Sequence, residues 1–309
     1  MAEIVLETKG LTKYYGAQPA LDHLDLRIPR GCICGFLGRN GAGKTTAIKM
    51  MLGLLEPTAG SASLLGCDST DLTPAIRQRI GYVTEGHRLF RWMTIARLEK
   101  FQQAFFPEQW DEKFFADMIE YFELSKKQKI KHLSNGQRAQ VSLALALAPN
   151  PELLIMDDPT LGLDAVIRRQ FLEGMIELIT RQGRTVLFSS HILADVERVA
   201  DRIVVIDKGV LRADCSLEQF RASVRKVVLY FDDSVPADVE LEGLLHCRRS
   251  ERQLELTLVG VDEAEVAAWA KRAGTERYDF VEMNLEDQFI EFTAPPHRRR
   301  LFQWEEARP

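Results

Sequence analysis

Two kinds of strand pattern occupy the N-terminal two thirds of the chain. Apolar and polar positions alternate in "IVLETKGLTKYY" and "LDHLDLRI", which is typical of strands with one buried face in an antiparallel sheet. "CICGFL", "LLIM" and "TVLF" are apolar throughout, which is typical of strands buried in a parallel sheet. Helical segments adjoin these runs, so the pattern predicts an α/β fold.

The segment after Glu85 has a helical period instead. "GHRLFRWMTIARLEKFQQAFFPEQWDEKFFADMIEYFELSKK" predicts two amphipathic helices, and a helical subdomain is expected over about residues 86–148. Five apolar residues of the second helix recur at helical spacing and are expected in the core, namely Phe114, Phe115, Met118, Ile119 and Phe122.

A third pattern follows "RIVVIDKGVLRADCS". "RKVVLYFDD" and "RQLELTLVG" alternate as strands, "DEAEVAAWAKRAG" predicts a capped helix, and "RYDFVEMNLEDQFIEFT" predicts a strand that leads into a short helix. A small α+β domain is therefore expected over residues 217–294, after a first domain over residues 1–216. Residues 295–309, with basic positions from Arg298 to Arg300, are expected to form a flexible tail.

Composition limits the function classes. The 309 residues, 46% hydrophobic and 28% charged, suffice for a sizeable core and more than one domain. A net charge of -5 gives no global reason to expect nucleic-acid binding. No apolar run reaches the roughly 18 residues of a membrane span, and the N-terminus does not resemble a signal peptide, so a cytoplasmic location is expected.

The five cysteines are scattered and odd in number, which indicates reduced thiols rather than a disulfide framework. Cys32 and Cys34 would share one face of a strand, so a metal pair is conceivable. No histidine or second cysteine pair lies at ligand spacing, and a buried strand is the favoured interpretation.

A glycine-rich loop follows the "CICGFL" strand. Gly38 to Thr45 matches G-x-x-x-x-G-K-T between a strand and a helix, the context that a phosphate-binding loop requires. Gly41 and Gly43 let backbone N–H groups turn toward phosphate oxygens, and the helix adds its positive dipole end. Lys44 would reach the β and γ phosphates, and Thr45 would bind Mg²⁺. The alternative is a glycine-rich turn that arises by chance.

Two adjacent carboxylates end the "LLIM" strand. Asp157 and Asp158 would repel each other without a positive partner, and ligands of nucleotide-binding α/β folds lie beyond the carboxyl ends of parallel strands. Asp157 is therefore predicted to help hold Mg²⁺, and Asp158 to lie near the attacking water. Without the phosphate loop, a solvated strand end or a turn before Pro159 would be the better interpretation.

A helix tip lies far from this pair. Ser134, Asn135 and Gly136 precede a helix predicted from about Gln137 to Ala148, and a dozen helical residues span about 18 Å. One chain can hardly bring both ends of this helix to one nucleotide. A helix N-terminus binds anions, so this one is expected to bind the phosphate held by a second copy of the chain.

In this order the motifs resemble those of the nucleotide-binding subunit of ATP-binding-cassette (ABC) transporters. The match covers roughly residues 3 to 216. It implies a P-loop NTPase fold with a mixed sheet core, an antiparallel β subdomain and a helical subdomain. It further implies two cassettes that clamp two ATP molecules head to tail. The motifs are the phosphate loop "GRNGAGKTT", the signature "LSNGQ", the Mg²⁺ strand "LLIMDDPT", the D-loop "LGLD" and the switch histidine in "FSSH".

The resemblance also implies residue roles. Tyr15 would stack on adenine, His191 would contact the γ-phosphate and align the water, and Asp164 would lie at the dimer interface. The alternatives are a core strand residue, an ordinary polar histidine and a turn acid. The full ATP-binding set is Tyr15, Gly38, Arg39, Asn40, Gly41, Ala42, Gly43, Lys44, Thr45, Thr46, Ser134, Asn135, Gly136, Gln137 and Asp164. The metal set is Thr45, Glu85 and Asp157, and the catalytic set is Asp158, His191 and Glu85.

Three positions depart from the family pattern. Asp158 stands where the family usually has Glu, and a shift of about 1 Å in a positioned group can cost about 100-fold in rate. Glu85 stands at the usual Gln and adds negative charge near a phosphate. Asn135 replaces a Gly of the signature, and Asn adopts left-handed backbone angles more readily than most residues. Slow ATP hydrolysis is therefore expected.

Partners follow from the same resemblance. We expect a homodimer, or a heterodimer with a second cassette. It is expected at the cytoplasmic face of the membrane, bound to a separate membrane subunit. A bacterial-type exporter is the expected kind of transporter. Phe90 and Trp92 are candidates for an exposed aromatic socket for that subunit, with simple packing as the alternative. A soluble cassette acting on ribosomes or DNA is the rival function. It is disfavoured by the single phosphate loop and the lack of a heptad run.

Overall fold

The computed structural model describes residues 3–180 and 184–294. They fall into two compact units, one ending at Asp214 and the other beginning at Cys215. The predicted tail over residues 295–309 lies outside the described residues. No helix in the described ranges is both long and apolar enough to span a bilayer. All five cysteines lie in these ranges, and none forms a disulfide.

Within the part of the chain that the structure describes, ten strands form two sheets that begin in the first unit. A four-stranded antiparallel sheet has the order β2-β1-β4-β5, and a six-stranded sheet has the order β10-β9-β3-β8-β7-β6. The strands are β1 (Ile4–Tyr15), β2 (Gln18–Pro29), β3 (Ile33–Leu37), β4 (Ala59–Leu64), β5 (Cys67–Asp68), β6 (Ile80–Val83), β7 (Leu153–Met156), β8 (Thr185–Ser190), β9 (Arg202–Asp207) and β10 (Val210–Ser216).

The six-stranded sheet fixes the place of the motifs. Strand β3 pairs in parallel with β8 and β9, and β7 pairs in parallel with β6 and β8. β3, β7 and β8 are the apolar runs predicted from the sequence, and their burial on both sides is what a sheet covered on both faces requires. Because the strands are parallel, the residues that follow their carboxyl ends meet at one edge.

In residues 3–180 and 184–294, seven α-helices accompany these sheets. They are α1 (Lys44–Met51), α2 (Pro74–Arg77), α3 (Ile95–Gln103), α4 (Glu112–Tyr121), α5 (Asn135–Leu147), α6 (Ala165–Thr180) and α7 (Leu193–Val199), with 3-10 turns at Ser69–Asp71 and Ile130–His132. Helices α3 and α4 are the two predicted amphipathic helices. Four of the five predicted core residues around α4 are buried, whereas Phe114 is only partly buried.

Helix α5 begins two residues earlier than the sequence predicted. Its first residue is Asn135, because the Ser134 side chain accepts a hydrogen bond from the Gln137 backbone while the Gln137 side chain accepts one from the Ser134 backbone. This reciprocal capping box satisfies donors at the helix start, so the helix can include both Asn135 and Gly136.

The second unit is a four-stranded antiparallel sheet with three helices. Its strand order is β12-β13-β11-β14, and Leu229, Leu256 and Trp269 are among the buried residues of its own core. The sequence patterns missed α8 and β12. The elements are α8 (Leu217–Ser223), β11 (Val224–Tyr230), β12 (Leu244–Arg249), β13 (Gln253–Val259), α9 (Glu263–Arg272), β14 (Tyr278–Val281) and α10 (Leu285–Thr293).

Candidate functional site

A cleft of about 290 Å³ lies at the carboxyl edge of the six-stranded sheet. Strand β3 leads into the loop from Gly38, β7 leads into the Asp157–Asp158 pair, and β6 leads toward Glu85. The cleft is lined by Ala20, Asn40, Gly41, Ala42, Gly43, Lys44, Thr45, Thr46, Glu85, Asp158 and Leu161.

The loop has the backbone that a phosphate cradle requires. Gly41 and Gly43 have φ angles of 80° and 106°, in the left-handed region that side chains rarely adopt. A Cβ on Gly43 would lie 2.4 Å from the backbone oxygen of Ala20, so only glycine fits there. Helix α1 starts at the next residue, and its free N–H groups join those of the loop as anion donors.

Lys44 is buried, with 6% of its surface exposed. Its Nζ donates to the backbone oxygen of Gly38 at 2.7 Å, and the oxygen of Arg39 lies at 3.5 Å. Burial lowers the pKa of Lys44, and the negative charges of Asp158, Asp157 and Glu85 oppose that shift. A partly desolvated amine beside the cleft interacts strongly with any anion bound there.

Asp157 is almost fully buried, with 1% exposure. Its Oδ1 accepts hydrogen bonds from Thr45 Oγ1 at 3.1 Å and from Ser189 Oγ at 2.9 Å. Burial raises the pKa of Asp157, and the two hydroxyl donors only partly oppose the shift. A carboxylate and a hydroxyl are the hard oxygen ligands that Mg²⁺ prefers, and a cation would relieve the buried charge. The residues therefore fit the predicted metal.

Asp158 and His191 are in contact. The Nδ1 atom of His191 lies 3.0 Å from both carboxylate oxygens of Asp158. Because a carboxylate only accepts, Nδ1 donates, and Nε2 of a neutral ring keeps its lone pair. Asp158 has a φ of 46°, and its backbone N–H donates to Ser189 Oγ at 2.8 Å. Asp tolerates such left-handed angles better than most residues.

The signature residues do not line this cleft. Ser134 and Gln137 cap helix α5, the amide oxygen of Asn135 accepts from Arg138, and a Cβ on Gly136 would lie 2.6 Å from Ile167. The chain's own signature helix tip is therefore not part of the lining of its phosphate cleft.

Other predicted residues also lie outside the lining, namely Gly38, Arg39, Asp157, His191, Asp164 and Tyr15. Asp164 caps helix α6, since its Oδ1 accepts from the backbones of Val166 and Ile167 at 3.0 Å. The Tyr15 ring is 56% exposed, with the Lys13 amine 5.7 Å from its centre. An exposed ring can stack on a base, so the alternative of a packed core residue does not describe Tyr15.

The sequence did not predict Ala20 and Leu161 in the cleft lining, nor Ser189 and His87, which hold the residues that follow β7. Ser189 joins Asp157 to the Asp158 backbone, although it stands in the "FSSH" motif already noted. His87 is buried, with 3% exposure, and its Nε2 lies 3.0 Å from the Pro159 backbone oxygen. Burial lowers the pKa of His87 to about 4. Its proximity to Glu85 in the sequence was the one available signal.

Comparison with known proteins identifies the family of this chain. The family model described as ABC transporter matches residues 21–161. The bacitracin transport ATP-binding protein of Bacillus licheniformis is 34% identical over 224 residues, covering 72% of this chain and 73% of the relative. Nod factor export ATP-binding protein I of Cupriavidus metallidurans is 32% identical over 299 residues, covering 94% of this chain and 97% of the relative.

Solved structures show the same fold. An ATP-binding subunit of an ABC transporter superposes with a TM-score of 0.64 at 30% identity, covering 71% of this chain and 92% of that one. An ATP-binding cassette solved as a dimer in a post-hydrolysis state, with ADP and Pi, superposes with a TM-score of 0.62 at 25% identity, covering 69% and 98%. With its P-loop fold and phosphate cleft, the chain belongs to the ABC transporter ATP-binding family and is an ATP-hydrolysing cassette.

Proposed function

We propose that the chain drives export through a separate membrane subunit by closing and opening around two ATP molecules with a second cassette. The observation that carries the proposal is the lining of the cleft, which includes the phosphate loop but not the chain's own signature helix tip. The two relatives above are named for bacitracin transport and Nod factor export, and one structural neighbour was solved as a dimer. A role on ribosomes or DNA has no comparable support.

The residues divide the work of hydrolysis. Loop N–H groups and Lys44 hold the phosphates, while Thr45, Asp157 and Glu85 would hold Mg²⁺. That ion supplies positive charge for the phosphate oxygens. Asp158 accepts a hydrogen bond from the attacking water and orients it. The Nδ1 atom of His191 donates to the Asp158 carboxylate. The Nε2 atom of a neutral ring accepts a hydrogen bond from water, whereas Nε2 of a charged ring donates one to a phosphate oxygen.

The remaining contacts come from the adenine side and from the second cassette. Tyr15 stacks on adenine. Ser134, Asn135, Gly136 and Gln137 of one copy reach the γ-phosphate held by the other, where the N-terminus of helix α5 supplies free N–H donors. Asp164 lies at the interface between the two copies.

ATP-dependent dimerisation tests this arrangement. With Mg²⁺ and ATP, the Asp158→Asn chain is expected to form a dimer, because hydrolysis no longer opens it. Adding Ser134→Arg is expected to raise the dimer dissociation constant at least about 10-fold, because a bulky side chain fills the space between the helix tip and the partner's phosphate. Light scattering coupled to size-exclusion chromatography measures the mass.

Ser216→Arg is the matched control. Ser216 also begins a helix with a capping box to a glutamine, so its replacement removes the same cap and adds the same charge. The Ser216→Arg chain is expected to dimerise like its parent. A strictly monomeric ATP-bound parent at every concentration, or equal loss of the dimer in both arginine variants, would contradict the proposal.

The membrane subunit is proposed to dock on an exposed aromatic cluster. Phe90 and Trp92 are 49% and 63% exposed, and their ring centres lie 6.4 Å apart. Phe101 and Phe105 of the α3 region extend the cluster, with centres 5.5 Å from Phe90 and 5.3 Å from Phe101 respectively. Water-exposed aromatic clusters are rarely left uncovered in an assembly, and aromatic residues often dominate interfaces. The docked chain would lie at the cytoplasmic face of the membrane.

Replacing both Phe90 and Trp92 with Ala is expected to lower coupled transport at least about 10-fold, because each anchor of such an interface contributes about 1–2 kcal/mol or more. ATP turnover of the isolated cassette is expected to stay within about 2-fold of native. Reconstituted vesicles with the membrane subunit measure transport. Tyr121→Ala, which removes a 57% exposed ring elsewhere on the surface, is the control, and unchanged transport in the double variant would refute the docking site.

A further inference from the structure

His87 connects two parts of the site that the sequence keeps far apart. It follows strand β6 by a few residues, next to the segment that brings Glu85 to the cleft. Its Nε2 lies 3.0 Å from the backbone oxygen of Pro159, the residue after Asp158. Because a carbonyl only accepts, the ring donates from Nε2.

The turn after β7 is held at three consecutive residues. The Asp158 backbone donates to Ser189 on β8, the Pro159 carbonyl accepts from His87, and the Thr160 hydroxyl donates to Asp195 on α7 at 2.6 Å. Ser189 lies on β8, which pairs with one edge of β7, whereas β6 pairs with the other edge. Asp195 lies on α7, the helix that follows β8. Among these three contacts, only that of His87 comes from the Glu85 segment.

The backbone around His87 is itself constrained. His87 has a φ of 47°, its N–H donates to the Thr84 oxygen at 3.2 Å, and its oxygen accepts from Leu89 at 2.9 Å. Thr84 to Leu89 therefore forms a tight turn that aims the ring inward. A shift of the Glu85 segment would be passed to Pro159 through one side-chain hydrogen bond.

Stability alone does not account for this histidine. Its Nδ1 is buried and has no hydrogen-bond partner in the described part of the chain. An unpaired buried polar atom is unfavourable, and an apolar side chain of equal length would avoid it. Any role of His87 must therefore depend on the hydrogen bond that Nε2 donates to the Pro159 carbonyl.

We propose that His87 is a positioning residue for ATP hydrolysis, which holds the Asp158 turn through the Pro159 carbonyl and ties it to the Glu85 segment. The inference rests on the proposed role of Asp158 as the water-orienting carboxylate. A positioning contact of this kind affects the chemical step rather than the affinity for ATP, because His87 is absent from the lining of the phosphate cleft.

Two substitutions separate the hydrogen bond from the volume of the ring. His87→Gln places an amide N–H at the same number of bonds from the backbone as Nε2, whereas His87→Met has the same length and no donor. Steady-state ATP turnover of the full chain is expected to show kcat about 10-fold lower for His87→Met and within about 3-fold of native for His87→Gln. The KM for ATP is expected to change less than about 2-fold in both, since neither touches the nucleotide.

Thermal unfolding tests the alternative that His87 is purely structural, because loss of a structural contact would lower the unfolding temperature. The two variants are expected to unfold within a few degrees of each other, because both place a side chain less suited than His to left-handed angles at a φ of 47°. Should His87→Met fail to fold, His87→Asn replaces it, because Asn tolerates left-handed angles and its short amide does not reach Pro159. Native kcat in the non-donating variant, or equal losses in that variant and His87→Gln, overturns the proposal.

A cycle with Asp158→Asn separates this inference from the proposed function. If His87 acts through Asp158, His87→Met is expected to change the residual turnover of Asp158→Asn less than 2-fold, because the group it positions is already gone. An undiminished 10-fold loss in that background overturns the proposal. Native turnover in Asp158→Asn itself instead refutes the role of Asp158, which is a different result.

Discussion

Lys44→Ala is expected to abolish measurable ATP turnover and to weaken ATP binding at least about 100-fold. The amine is buried, and the negative charges of Asp158, Asp157 and Glu85 act on it, so its removal leaves those three charges without this positive partner near the phosphates. Bound to the Gly38 oxygen, the amine already lies at the loop before any ligand arrives. Its charge-assisted hydrogen bonds to phosphate therefore need little rearrangement.

Equilibrium binding of a fluorescent ATP analogue and phosphate release measure the two effects. Lys49→Ala is the matched control, because Lys49 lies on the same helix and is exposed. The control is expected to bind and hydrolyse ATP like the native chain. Binding by Lys44→Ala within about 3-fold of native would remove Lys44 from the phosphate site.

Asp158→Asn is expected to lower kcat about 100-fold while ATP binding persists. The amide keeps the size of the carboxylate but is a far weaker acceptor for the attacking water, and it loses the charge that His191 contacts at 3.0 Å. Persistent binding distinguishes this variant from Lys44→Ala, because Asp158 orients water whereas Lys44 holds phosphate. Turnover as fast as native in Asp158→Asn would refute the assignment.

Asp158→Glu tests whether the short side chain limits the rate. The additional methylene moves the carboxylate about 1 Å farther from the backbone, a distance that can change a rate by up to about 100-fold. We expect faster turnover than native, offset in part because Glu tolerates the φ of 46° less well than Asp. Phosphate release at saturating ATP measures the change, and a rate no faster than native would show that the length of the side chain does not limit turnover.

The sequence predicted those parts of the site that local chemistry determines. Gly41, Gly43 and Lys44 follow from the phosphate loop between a strand and a helix, and Asp157 follows from an apolar strand that ends in acids. The P-loop α/β fold, the family and ATP hydrolysis were all predicted and are confirmed. The phosphate loop and the acidic strand end are both short motifs, and the spacing of residues that are close together in the chain determines their geometry.

The residues that the sequence missed depend on contacts between distant segments. Ser189 meets Asp157 across 32 positions, and His87 meets Pro159 across 72. Hydrophobic period predicts which face of a strand is buried, but it does not predict which hydroxyl or ring nitrogen will meet a given carbonyl. Strand β12 was missed because its alternation is weak, with half-buried and exposed residues beside a single buried leucine.

The Ser189 hydroxyl has a mechanical consequence. It donates to the Asp157 carboxylate and accepts from the Asp158 backbone, so one oxygen bridges the side chain proposed to hold Mg²⁺ and the main chain of the proposed water-orienting residue. The positions of the two acids are thereby coupled through a single residue of strand β8. A displacement of the Asp157 side chain is therefore expected to move the Asp158 backbone as well, which would couple the orientation of water to the state of the proposed metal site.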